Sequence, residues 1–309
     1  MNRCVASLAF ILAATPLSAE QPAYRLLDHL VVTGATHPDF ALREISALAW
    51  DAQAQVLLAV SDRNDLYHLS LGADQDRIAL ALVAQHRLTG EDGARLRGRY
   101  FSAEGIAMGE PGSSQIAILS EMPPRLAIFD RSGQRAALLP LPPELQDITR
   151  LRSEGNGLES LARHPTLGYL FAPEAPLAGE PRRIHMIYGS AGPALAFQTG
   201  EAGATSIKAM ETLPDGRLLI LERDRLDAAT IQPFLRVIDP AACPVAAPCS
   251  PPAIRLDLPP PHDADFEGLA WLGNNRFMLA SDDRIEGSPR TVFALIALDL
   301  DGWDQSLGN

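Results

Sequence analysis

The 309-residue chain is poor in the residues that mark several common catalytic sites. It has three cysteines, and its seven histidines form no His-x-His or HExxH pair, which argues against zinc. The sequence contains no Gly-x-Ser-x-Gly, no P-loop and no dinucleotide-binding glycine pattern. These absences exclude a nucleophile elbow and the familiar nucleotide loops. A hydrolase with this sequence would therefore depend on metal-assisted attack by water.

Positive charge is also scarce. The net charge is −12, the sequence pI is about 5.0, and Lys208 is the only lysine. Nucleic acids and anionic membranes require a basic face, so neither is an expected partner. If the protein is a hydrolase, we expect its substrate to be a small-molecule ester or phosphate, and we expect the protein to be a monomer. Because 47% of the residues are hydrophobic and 21% are charged, the chain should fold into a globular domain.

No hydrophobic run is long enough to cross a bilayer as a helix. The apolar stretch from Val5 to Ala14 follows Met-Asn-Arg and precedes small residues ending at Ala19. This pattern predicts a signal peptide over residues 1–19, although a frayed N-terminal helix is the alternative. Cleavage would leave residues 20–309 as a single domain without membrane insertion, in the periplasm or secreted. Such compartments are oxidising, so Cys243 and Cys249 are predicted to form a disulfide rather than remain free thiols.

A repeated pattern occurs five times along the chain. Each copy begins with a charged residue and a small residue, continues as an apolar strand, and then turns into a second strand that ends in an acid. The copies begin at Glu44, Glu104, Glu159, Lys208 and Glu267, at spacings of 49 to 60 residues. Spacings of this size predict an all-β protein, a β-propeller with five blades. A degenerate sixth blade would lie in residues 84–100 or 140–157, and a β-sandwich is the competing fold. A strand over residues 24–32 would close the ring.

Equivalent positions in different blades meet around the axis of a propeller. Because the two strands of each copy are antiparallel, the start of the first lies beside the end of the second. The repeat therefore brings acids to one mouth of the central channel. These candidate metal ligands are Glu44, Asp62, Glu104, Glu121, Glu159, Glu174, Glu222, Glu267 and Asp282.

Such a crowd of carboxylates requires compensation by protons, arginines or a divalent cation. Ligand sets made of oxygen alone suit Ca²⁺ best, and Mg²⁺ or Mn²⁺ less well. The candidate catalytic residues are Glu159, Lys208 and Arg223. Glu159 would accept a proton from water. Lys208 would either bind a phosphate or carboxylate of the substrate or form a local salt bridge in place of a lost metal ligand.

Several motifs resemble one known family. They are Glu104-Gly-Ile-Ala, Asn156-Gly-Leu-Glu-Ser-Leu-Ala162, Leu219-Ile-Leu-Glu-Arg-Asp224, Phe266-Glu-Gly-Leu-Ala-Trp271 and Ala280-Ser-Asp-Asp283. Together they resemble the "esterase-like activity of phytase" family over about residues 40–300. The resemblance implies an exported bacterial propeller that hydrolyses phosphoesters or carboxylic esters, with Ca²⁺ as its cofactor. The chain departs from the family pattern at Ser102-Ala103 and at Lys208. A non-catalytic binding propeller and a lactonase-like propeller are the alternative functions.

Overall fold

The computed structural model describes residues 24–36, 42–152, 157–199, 206–227, 230–282 and 290–300. The predicted signal peptide over residues 1–19 lies outside these ranges, as do Asn156 and Asp283 of the family motifs. None of the helices within the described ranges is long and apolar enough to cross a membrane.

The described residues form five antiparallel sheets of four strands each. Each sheet is one blade, numbered in chain order. Blades 1 and 2 contain the strands β2 (Ile45–Asp51), β3 (Val56–Ser61), β4 (Asp65–Leu71), β5 (Leu80–Arg87), β6 (Ala103–Met108), β7 (Ile116–Ser120), β8 (Arg125–Phe129) and β9 (Arg135–Leu139). Blades 3 and 4 contain β10 (Leu158–His164), β11 (Gly168–Pro173), β12 (Ile184–Gly189), β13 (Gly192–Gln198), β14 (Ser206–Thr212), β15 (Leu218–Arg225), β16 (Ile231–Ile238) and β17 (Ala253–Arg255).

The fifth blade joins the two ends of the chain. Its strands are β18 (Phe266–Gly273), β19 (Arg276–Ser281), β20 (Arg290–Leu298) and, as the outermost strand, β1 (Tyr24–Thr33). β1 pairs with β20 in antiparallel register from Tyr24–Leu298 to Thr33–Arg290. The predicted closure by an N-terminal strand is therefore confirmed. This arrangement leaves no gap in the ring where a sheet edge would remain open.

The blade number is five. The innermost strands β2, β6, β10, β14 and β18 contact one another in sequence, and β18 returns to β2. The two segments considered for a sixth blade contain other structure. Residues 88–102 form a loop with isolated bridges, and residues 140–152 contain one short α-helix, α1 (Pro143–Gln146), and a 3₁₀ turn over Ile148–Arg150.

The hydrophobic core consists of five layers, each between two neighbouring blades. Leu221 of blade 4 and Phe277 of blade 5 belong to one layer, and Leu48 of blade 1 and Phe293 of blade 5 belong to the next. The three inner strands are almost continuously buried because both faces are covered, whereas outer strands such as β5 alternate. The runs of Val, Ile, Leu and Ala at repeat spacing follow from this packing.

The predicted disulfide is present. Cys243 and Cys249 are bonded, with their Cα atoms 4.8 Å apart, in the loop that connects β16 to β17. The backbone amide of Ala196 donates to the Cys243 carbonyl, and that of Gln198 to the Cys249 carbonyl. The bonded loop therefore continues the hydrogen bonding of blade 3 and links it to blade 4.

Candidate active site

All five innermost strands contain the same irregularity near their first residue. In each strand, the pairing with the second strand skips one residue, as between Ala103 and Gly105 in β6. A skipped residue of this kind is a β-bulge, which redirects a side chain away from the regular alternation. The bulged residues, which we call the channel ring, are Ser46, Glu104, Glu159, Lys208 and Glu267.

The charged members of the channel ring converge at the axis. One carboxylate oxygen from each of Glu104, Glu159 and Glu267 lies within 4.8 Å of the other two. The Lys208 Nζ atom lies 3.1 Å from Glu159 Oε1 and 2.7 Å from Glu267 Oε1. All four side chains are buried, with residue exposures of 2% to 7%. Blades 2, 3, 4 and 5 thus each contribute one charged group to a single enclosed cluster.

Burial and mutual repulsion dominate the electrostatics of the ring. Burial raises the pKa of the Glu104 carboxyl well above its usual range, and the charges of Glu267 and Glu121 raise it further. Burial also raises the pKa of Glu159 and of Glu267, although the Lys208 ammonium opposes the increase in both. Burial lowers the pKa of Lys208, but the neighbouring carboxylates outweigh it and hold the group charged. Glu104 has no comparable cation against it among the described salt bridges.

A second layer of side chains lies directly above the ring. On each second strand, one residue partners the residue that precedes the ring residue, and the next residue along is an acid in four blades and an arginine in blade 4. These residues, which we call the mouth layer, are Asp62, Glu121, Glu174, Arg223 and Asp282. In the four acidic blades, the backbone amide of the mouth-layer residue donates to a carbonyl two residues before the ring. This shared hydrogen bond fixes the height of the mouth layer relative to the ring.

Arg223 is the main counter-charge of the mouth layer. Its Nη2 atom donates to Glu174 Oε1 at 2.7 Å, its Nη1 atom donates to Asp265 Oδ2, and Nη1 lies 3.7 Å from Glu267 Oε1. Lys208 Nζ also lies 3.5 Å from Glu174 Oε1. Burial lowers the pKa of Arg223, but Asp265 and Glu174 raise it by more, so the guanidinium stays charged.

Two predicted metal ligands lie outside this cluster. Glu44 precedes the ring residue of blade 1 by two positions, and its carboxylate pairs with both Nε and Nη2 of Arg63, the latter at 2.7 Å. The sequence pattern aligned Glu44 with the other glutamates, but the bulge makes Ser46 the equivalent residue. Glu222 is likewise one residue short of the mouth layer. Alternation along β15 turns its side chain away from the channel, onto Arg236 at 2.5 and 3.1 Å.

The family assignment agrees with this architecture. The model of the Phytase-like family, described as esterase-like activity of phytase, matches residues 41–284. The chain belongs to the Phytase-like family. A search of curated proteins found no match.

The remaining predicted site residues of this Phytase-like chain lie in the ring or in the mouth layer. Asp62, Glu121 and Asp282 are in the mouth layer, where Glu121 Oε1 accepts a hydrogen bond from the Gly157 amide at 3.1 Å. Glu174 contacts Lys208 and Arg223, the blade 4 members of the ring and of the mouth layer. Sequence reasoning missed Ser46 and Asp265. Aligning the blades on the small residue after each bulge, rather than on the glutamate, would have placed Ser46 in the ring.

The ring of this Phytase-like protein fits a divalent cation. Three carboxylate oxygens within 4.8 Å of one another are close enough together to hold one divalent ion, and Ca²⁺ takes oxygen ligands of this kind. Three carboxylates and one ammonium give the ring a formal charge of −2, which one divalent cation would balance. The donor set is oxygen only, which suits Ca²⁺ and also Mg²⁺ or Mn²⁺. Glu104, which has no salt bridge to Lys208 in the described contacts, is the carboxylate most in need of such an ion.

Proposed function

We propose that this protein hydrolyses phosphate or carboxylic esters at the channel ring, with a divalent cation held by Glu104, Glu159 and Glu267. Ca²⁺ is the preferred candidate for this cation. The observation that carries the proposal is the convergence of these three buried carboxylates, from three blades, within 4.8 Å. Membership of a family described by esterase-like activity supports the reaction class. When bound, the cation would polarise the ester and lower the pKa of water.

The protein's own residues would perform the remaining steps. The Glu159 carboxylate accepts the proton of the attacking water, because the Lys208 ammonium at 3.1 Å favours its ionised form while burial keeps it basic. Lys208 also holds Glu267 in position from the other side. Arg223 fixes Glu174 and Asp265 above the ring. The mouth layer therefore positions the ring carboxylates before the substrate arrives.

The contacts of Lys208 favour one of its two predicted roles. An ammonium has three N–H donors, and three carboxylates, those of Glu159, Glu174 and Glu267, lie within 3.5 Å of this one. The side chain is 2% exposed. A substrate anion would have to displace a carboxylate to reach it, so the role of a local salt bridge agrees better with the geometry.

The proposed location is the periplasm or the exterior of the cell. The Cys243–Cys249 disulfide supports it, because such bonds persist in oxidising compartments. The predicted signal peptide over residues 1–19 remains a prediction.

The function is tested by measuring metal binding and turnover on the same variants. Calorimetric titration of Ca²⁺ should show one site in the wild type, and Glu104→Gln should weaken it at least about tenfold. Hydrolysis of p-nitrophenyl phosphate and p-nitrophenyl acetate should fall with EDTA and with Glu104→Gln. Glu91→Gln is the control, since its carboxylate is 59% exposed and pairs only with Arg135 among the described salt bridges. Metal binding without turnover would instead indicate a non-catalytic binding propeller, and the absence of both would reject the site.

A further inference from the structure

Blade 4 differs from the other four blades in the sign of its charges. It supplies Lys208 where the ring otherwise has serine or glutamate, and Arg223 where the mouth layer otherwise has acids. Two residues beyond Arg223, the same strand ends in Arg225. Side-chain exposure rises along this series, from 2% for Lys208 to 18% for Arg223 and 54% for Arg225. Blade 4 thus forms a line of cations from the ring to the protein surface.

Ion pairs make this line continuous. Lys208 contacts Glu267, and Arg223 Nη1 lies 3.7 Å from the same carboxylate oxygen. Arg223 also binds Asp265 Oδ2, and Arg225 Nη2 lies 3.6 Å from that oxygen. Arg225 is therefore the outermost charge of a network whose inner end is the ring. An anion held by Arg225 would be held at the mouth.

Lys208, Arg223 and Arg225 differ in how many of their N–H groups already donate hydrogen bonds to carboxylates. The Lys208 ammonium faces three carboxylates, and Arg223 donates to Glu174 and Asp265. Arg225 lies 3.6 Å from Asp265, beyond hydrogen-bond distance, and forms no side-chain hydrogen bond within the described ranges. Arg63 offers a direct comparison. It is also 54% exposed, but two of its three side-chain nitrogens, Nε and Nη2, donate to Glu44.

We infer that Arg225 binds the anionic group of the substrate and that the enzyme therefore prefers phosphate monoesters over neutral carboxylic esters. This inference rests on the proposed function and narrows its substrate class. A guanidinium presents paired N–H donors that match two oxygens of one phosphate, and it remains charged at all relevant pH values. A neutral ester has no anionic group, so Arg225 does not increase its binding affinity. The residue acts in binding and specificity, and the hydrolytic step remains at the ring.

Inorganic phosphate is the direct probe. We expect the wild-type protein to bind phosphate in calorimetric titrations, both with EDTA and with Mg²⁺. Arg225→Gln should raise the dissociation constant for phosphate about ten- to a hundredfold. Arg225→Lys keeps the charge but loses the paired donors, so its affinity should be intermediate. Arg63→Gln, with the same exposure and the same loss of charge, should bind phosphate like the wild type. The melting temperature of each variant confirms that it is folded.

Kinetics supply the second readout. Arg225→Gln should raise the KM for p-nitrophenyl phosphate by a similar factor while leaving kcat and the constants for p-nitrophenyl acetate unchanged. Equal phosphate affinity in the Arg225→Gln and Arg63→Gln variants, or no phosphate binding by the wild type, would overturn the inference. An equal loss of kcat/KM for p-nitrophenyl phosphate and p-nitrophenyl acetate in Arg225→Gln would also overturn it. Phosphate binding that depends on Arg225 in a protein without turnover would reject the hydrolase and leave the anion site standing.

Discussion

The Lys208 ammonium of blade 4 lies 2.7 Å from the Glu267 carboxylate of blade 5, and both groups are almost completely enclosed. The same ammonium contacts Glu159 of blade 3 at 3.1 Å. The only lysine of the chain therefore joins three consecutive blades at the axis. Because a buried charge that loses its partner is costly, this contact connects the stability of the propeller to the charge of the ring.

Removing this lysine should make stability dependent on metal. Lys208→Met leaves Glu159 without its cation and leaves Glu267 only the more distant Arg223 at 3.7 Å. We expect the free energy of unfolding in EDTA to fall by about 3–5 kcal/mol. Added Ca²⁺ should raise the melting temperature of Lys208→Met more than that of the wild type, because the ring of the variant carries one more negative charge. Lys208→Arg keeps the charge and serves as the control. Equal urea midpoints for Lys208→Met and the wild type in EDTA would contradict this role.

The two displaced glutamates provide a test of the ring assignment. Glu267→Gln removes a ring carboxylate and should weaken Ca²⁺ binding at least about tenfold, whereas Glu44→Gln should leave it unchanged. Glu222→Gln should also leave Ca²⁺ affinity unchanged but should lower stability, since it weakens a buried pair with Arg236. Calorimetry and urea unfolding separate the two effects. If Glu44→Gln weakened Ca²⁺ binding as much as Glu267→Gln, the ring would be the wrong site.

The sequence predicted the blades better than it predicted the site. Five copies of one strand pattern are sufficient to count the blades, because each copy must bury its own hydrophobic faces against its neighbours. The identity of the ring residues depends on a one-residue bulge, whose shared mark in the five blades is the small residue that follows it and not the charged residue on which the repeat was aligned. Blade 1 places a glutamate two positions too early, and blade 4 places Glu222 one position too early. The one-residue offset turns the Glu222 side chain to the other face of β15, and the two-residue offset places Glu44 before the start of β2, where it pairs with Arg63. Both residues therefore resembled ligands in the pattern but lie elsewhere in the fold.

The glycine after the Glu267 bulge should be required for packing between blades 5 and 1. A Cβ at Gly268 would lie 2.7 Å from Leu48 Cγ and 3.3 Å from Ala280 Cβ, so a methyl group must displace a core leucine. We expect Gly268→Ala to cost about 1–3 kcal/mol in urea unfolding. Gly98→Ala is the matched control, because nothing lies within 4 Å of its Cβ position. Gly→Ala by itself lowers the entropy of the unfolded chain and should not destabilise an open site such as Gly98. Equal losses for the two variants would therefore show that the contact with Leu48 does not decide the result.

Glu211 should give the protein a pH-dependent stability that is independent of the ring. It lies near the far end of β14, where its carboxylate accepts hydrogen bonds from the Thr212 amide at 3.1 Å and from the Trp271 amide of blade 5 at 3.2 Å. Burial raises the pKa of Glu211 to about 7 from the usual 4.5, although the two backbone amides oppose the increase. The folded state therefore holds this proton more tightly than the unfolded state, and stability should fall as the pH rises from 4.5 to 7.

Glu211→Gln removes this titration. The free energy of unfolding of the variant, relative to the wild type, should increase by at most about 3 kcal/mol between pH 4.5 and pH 8, and level off above pH 7. The comparison across pH isolates the proton, because any hydrogen bond lost with the amide lowers stability equally at every pH. Glu91→Gln, which removes an exposed carboxylate, controls for net charge. Urea unfolding in EDTA at several pH values measures the difference, and parallel pH profiles for Glu211→Gln and the wild type would mean that Glu211 is already ionised at pH 5 in the folded protein.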